Sequence, residues 1–140
     1  MPSPILSAPI VERMLTSARV QAETDGARLC IAVVDAAGGL AGFLRMPEAF
    51  SISTDLSIDK AWTAAGMRLS TADLADALAQ ESEHVRAGLL RRPRLTDVPG
   101  GVPLFDAGNL VGAVGASGGS TEQDIRAAEA AIGTYLEIVS

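Results

Sequence analysis

The chain has 140 residues, a formal net charge of −6 and a single cysteine, and it is 48% hydrophobic but only 4% aromatic. That length buries one core rather than two, and the core must be aliphatic. The acidic balance excludes nucleic acid and anionic membranes as principal partners, and a lone Cys30 excludes an internal disulfide.

Residues 1–9 read as a proline-bearing leader and 10–140 as a single domain. The start Met1-Pro2-Ser3-Pro4 has no charged region ahead of an apolar run, so a cytoplasmic location without a membrane span is expected. Ile10, Met14, Ala18 and Ala22, with Val11 and Leu15 beside them, repeat at the spacing of an amphipathic helix that Asp25-Gly26 ends. Leu29–Val34 is a short, continuous apolar run, the pattern of a strand buried on both faces. Asp35-Ala36-Ala37-Gly38-Gly39 turns the chain into a second strand, Leu40–Met46, which Pro47 stops. A helix from Thr54 or Asp55 runs through Lys60 and Trp62 to Ala65, and a second follows Thr71. The stretch Glu81–Leu95 predicts a short helix and a loop containing four arginines.

Two strands follow, over Val98–Asp106 and Leu110–Ala116, and a glycine-rich loop then opens into a final helix at Thr121. Glycine inside a strand marks the close approach of another backbone or a ligand, and Gly112 and Gly115 both fall there. Ser120 or Thr121 with Gln123 or Asp124 has the spacing of a capping box. The free N–H groups at Gly118-Gly119 and the helix dipole would make an anion site. Hairpin-linked strands with helices between them predict an α+β domain on an antiparallel sheet of about five strands. An apolar, glycine-rich strand of this kind favours self-association.

Lys60 and Thr63 lie one helical step apart, so Lys60 could pair with Asp35 or Glu122 beside the sheet and hold a ligand carboxylate or tune an acid. Arg45, on the second strand, is a further anion-binding candidate. Gly115, Ser117, Gly118 and Gly119 would line the hollow. His84, the only histidine, is a lone base or axial ligand, and it rules out a multi-histidine metal site. Arg86, Arg91, Arg92 and Arg94 form a basic patch suited to a carboxylate or phosphate, or to an acidic neighbour subunit.

Taken together, Ile31–Gly38, Arg45-Met46, Asp59–Ala64, Gly100–Leu104 and Gly112–Asp124 resemble the GlcG/HbpS-like haem-binding family, which includes the C-terminal domain of PduO-type corrinoid proteins. The resemblance implies a five-stranded antiparallel sheet with flanking helices of the profilin-like or PAS-like class. It also implies assembly into dimers to octamers, and a pocket for haem or a related anionic tetrapyrrole. A threonine near the pocket serves some members, and Thr63 is the positional candidate here. PduO-type haem binders carry a histidine in the first helix, and Ile10–Glu23 has none. The alternative is a metal-independent isomerase, lyase or cyclase acting on a small carbonyl or carboxylic substrate, with Lys60, Asp35, Glu122 or His84 moving the proton.

Overall fold

The computed structural model describes residues 6–140; the first five residues of the expected leader lie outside it. The described chain runs α1 (Ala8–Thr24), β1 (Cys30–Asp35), β2 (Leu40–Arg45), α2 (Ile52–Met67), α3 (Thr71–Ala79), α4 (Glu83–Leu90), β3 (Gly101–Asp106), β4 (Asn109–Ser117) and α5 (Thr121–Val139). Helix α1 therefore starts inside the expected leader. Pro9 sits in its first turn, where a missing N–H breaks no helical bond.

The strands form one sheet in the order β2-β1-β4-β3, antiparallel throughout. Four strands stand where five were expected among the described residues, and the outer edge of β3 shows why. The Ala116 N–H donates to the Gly100 carbonyl, so the donors of Gly101 and Pro103 face away from β4. Gly101 N–H is already held by Thr71 Oγ1 at 3.0 Å, and Pro103 has no N–H to offer. In the neighbouring stretch Leu95 N–H goes to the Arg92 carbonyl, Thr96 N–H to Thr63 Oγ1 and Val98 N–H to Thr96 Oγ1, none of them to a strand.

Both faces of the sheet are covered. Ile31 and Val33 point with Val114 and Ala116 toward α1 and α5, where Val11, Met14, Ala18, Ala127, Ala128, Ala131 and Tyr135 close the larger cluster. Ala32, Val34 and Ala113 point the other way, against Ala61, Ala64 and Ala65 of α2. Burial on both sides is why β1 carries no polar alternation. The sole cysteine, Cys30, lies fully buried with Sγ 3.8 Å from Thr54 Oγ1, and burial pushes its thiol pKa up.

Helix α5 begins in a complete capping box. Ser120 Oγ accepts from Gln123 N–H at 3.2 Å, and Gln123 Oε1 accepts from Ser120 N–H at 3.0 Å. Gln123 also donates to the Asp25 carbonyl, fastening the turn after α1 to the same helix start. Replacing Ser120 by alanine should lower unfolding free energy by about 1 kcal/mol, while glycine should cost only a few tenths, as denaturant titration would read.

Candidate functional site

The stripe Ser57, Lys60, Ala61, Ala64 puts the inner face of α2 onto β1, β3 and β4. Gly101 and Gly115 are register partners on adjacent strands, directly beneath that stripe. A methyl group at Gly115 would collide with the Ser57 carbonyl and lie 2.6 Å from Ala61 N; one at Gly101 would collide with the Lys60 carbonyl. The close approach read from Gly115 is therefore that of the chain's own helix backbone, and the one read from Gly112 is that of the Val34 carbonyl on the paired strand β1.

The Lys60 stem fills the remaining space, passing beside Gly100 and Gly115. Its ammonium, on a residue 1% exposed, donates to the Ala116 carbonyl at 2.8 Å and to Asp124 Oδ2 at 3.2 Å. Asp124 Oδ1 accepts from Gly119 N–H at 2.9 Å. The anion site expected at this helix start exists, and Asp124 supplies the anion. Burial holds the Asp124 carboxyl above the usual range, against the pull of Lys60 and the loop amides; burial likewise holds the Lys60 ammonium below its usual value, against Asp124.

Asp124 thus replaces the partners expected for Lys60. Asp35 is instead the pivot of the β1–β2 turn, where Oδ1 accepts from Ala37 and Gly39 N–H at 2.9 Å each. Glu122 is exposed on the first turn of α5. The spacing of α5 held the signal: its buried positions Ala127, Ala128, Ala131 and Tyr135, extended back by one turn, reach Asp124 and miss Glu122.

The other expected site residues are dispersed. His84 is exposed on α4, and Arg45 donates to the Ala49 carbonyl at 2.7 Å, bracing the turn after β2. Ser117 is buried with Oγ 3.4 Å from Ser53 Oγ. Gly118 backs onto the Arg28 carbonyl, and Gly119 abuts the Gln123 side chain. Among the described residues Lys60, Asp35, Glu122 and His84 make no hydrogen bond or ion pair with one another.

Thr63 belongs to a different constellation. Its hydroxyl donates to the Arg94 carbonyl and accepts from Thr96 N–H, both at 3.1 Å. The Arg94 guanidinium lies 4.6 Å from the centroid of the Trp62 ring, with Nε 3.6 Å from Asp59 Oδ1. Burial raises the Asp59 carboxyl pKa, and the Arg94 charge opposes that rise. Thus one turn and a half of α2 presents a carboxylate, an indole and a hydroxyl to a single arginine residue. Sequence reasoning placed Arg94 in the basic patch but missed Asp59 and Trp62, because the pairing spans two helices that intervene between them.

A separate open groove of about 440 Å³ lies among Glu23, Arg28, Met46, Pro47 and Glu48. Its rim is crossed by an exposed Arg28–Glu48 pair at 3.6 Å, and its base Met46 accepts through sulfur from Leu29 N–H. None of the expected site residues lines it. Among the described residues no group of three His, Cys, Asp or Glu side chains could hold a metal ion, and no helix is long and apolar enough to cross a membrane.

The family model for haem degrading protein HbpS-like matches residues 6–133. The chain is 37% identical over 106 residues to an uncharacterised 15.0 kDa protein from the dhaT-dhaS intergenic region of Citrobacter freundii, covering 76% of this chain and 75% of that one. It is 32% identical over 113 residues to protein GlcG of Escherichia coli K12, covering 81% of each. Among solved structures, a PduOC:heme complex superposes with a TM-score of 0.84 at 31% identity, covering 93% of this chain and 94% of the other. With that extent of agreement in sequence and in fold, the chain belongs to the HbpS-like family of haem degrading proteins.

Proposed function

We propose that this domain binds haem, or a related tetrapyrrole bearing carboxylates, as a small-molecule binding module. The observation carrying this reading is the PduOC:heme complex, a haem-bound relative that shares the fold along nearly its whole length. The chain's own residues fit the carboxylate end of such a ligand. Arg91, Arg92 and Arg94 are exposed and Arg86 is half-buried on one short stretch of an otherwise acidic protein, and guanidinium groups bind carboxylates in bidentate fashion. Bound haem would bring an iron able to take a ligand from the protein. Helix α1 lacks histidine, and His84, exposed beside the arginines, would be the histidine available to hold the iron.

Haemin titration followed by Soret absorbance tests this reading. A saturable spectral shift at micromolar haemin, weakened when Arg91 and Arg92 are both replaced by alanine, is the expected result. No shift at those concentrations would overturn it. Loss of the shift in His84→Ala alone would assign the axial ligand. Exposed Phe50 and Ile52 at the start of α2 support self-association, which sedimentation would read as a dimer or larger species.

A further inference from the structure

No residue from Ala79 to Pro99 is fully buried, although the stretch contains a whole helix and the five aliphatic residues Val85, Leu89, Leu90, Leu95 and Val98. Helix α4 packs chiefly on α3, and none of its side chains joins either apolar cluster. A segment with so little apolar burial is held by its polar contacts and opens before the core does. Those contacts converge at Arg94: its carbonyl on Thr63, its guanidinium over Trp62 and beside Asp59, with Thr96 N–H returning to Thr63. Arg94 also holds φ at 73°, a left-handed conformation that a non-glycine residue keeps only when its surroundings enforce it.

We propose that residues 83–99 form a flap fastened to α2 through Arg94, and that a carboxylate-bearing ligand enters beneath it by taking the Arg94 guanidinium from Asp59. The ligand half rests on the function proposed above; the flap half does not. Asp59 is a single carboxylate in a loose, partly exposed pair with Arg94, so a ligand carboxylate with bidentate geometry competes well for that guanidinium. Displacing it uncovers the indole of Trp62, a flat apolar surface, and frees the Thr63 hydroxyl and the Thr96 N–H. The flanking Arg91 and Arg92 travel on the same segment, so a second ligand carboxylate would hold the flap in its displaced position.

The flap is tested without ligand by hydrogen exchange on the full chain. Arg94→Ala should speed exchange over residues 83–99 by about tenfold, the combined loss of a cation–π contact and an exposed ion pair, while β1 and β4 stay at wild-type rates. Thr63→Val should act in the same direction. Unchanged exchange over 83–99 in both variants would overturn the flap. The ligand half is read by quenching of Trp62, the only tryptophan, with haemin and with its dimethyl ester, which has no free carboxylates. Asp59→Asn should tighten haemin binding several-fold and Arg94→Ala should weaken it, with neither affecting the ester. Equal haemin affinity in wild type and both variants would overturn the ligand half alone. Failure of wild type to bind haemin would overturn the proposed function, and the exchange result would still decide the flap.

Discussion

Replacing Lys60 by methionine should destabilise the protein by about 3–5 kcal/mol, because it leaves the Asp124 carboxylate buried without its charge partner. The pair is nearly solvent-free, at 1% and 7% side-chain exposure, so water cannot take over the lost contact. Replacing both residues at once, as Lys60→Met with Asp124→Leu, should recover most of that loss in urea titrations, since two well-packed apolar groups need no compensation. A double variant as unstable as the single one would show that the loss came from packing rather than charge.

The same pair fixes a pH signature. Asp124 in the fold holds its proton above the ordinary value of 3.8, so the folded state binds more protons than the unfolded one as pH rises from there, and stability falls across that window. Lys60 in the fold gives up its proton below 10.5, so the unfolded state binds more protons at the alkaline side, and stability is regained as pH climbs toward 10.5. Wild-type stability minus that of the double variant should therefore pass through a minimum between those limits. A flat difference would mean that burial does not set either value.

Gly115→Ala should have an effect of similar size by a wholly different route. The added methyl meets backbone, the Ser57 carbonyl and Ala61 N, and backbone within a helix cannot swing aside as a side chain can. A loss of about 3 kcal/mol or more is expected, or failure to accumulate folded protein. Gly66→Ala is the control: it lies on the same helix with nothing within 4 Å of the added methyl, and should raise stability by about 0.5–1 kcal/mol. If thermal melts placed both variants alike, the tight seat of α2 on the sheet would be disproved.

Much of this architecture could be read from residue order. The continuous run at Leu29–Val34, the turn at Asp35–Gly39 and the stripe of α1 each have local causes, and each appears where expected. Gly112 and Gly115 announced a close approach, but a missing side chain says only that something comes near. At Gly112 the neighbour is the paired strand β1; at Gly115, whether it is a guest or the chain's own helix depends on where α2 lies, which no local pattern encodes. The same applies to Lys60: its burial followed from the helix face, while its partner lay 64 positions away. Arg94 sat in plain view among the arginines, yet its attachment to Asp59, Trp62 and Thr63 is a product of tertiary folding.

The outward side of β3 has a bearing on how the protein behaves when concentrated. Fibril growth requires a rim of free amides on which an incoming chain can template, and at Gly101 and Pro103 one is already taken and the other never existed. Among the described residues β2, at the opposite rim, is left as the nucleation point, and a lysine introduced at exposed Ala41 would guard it.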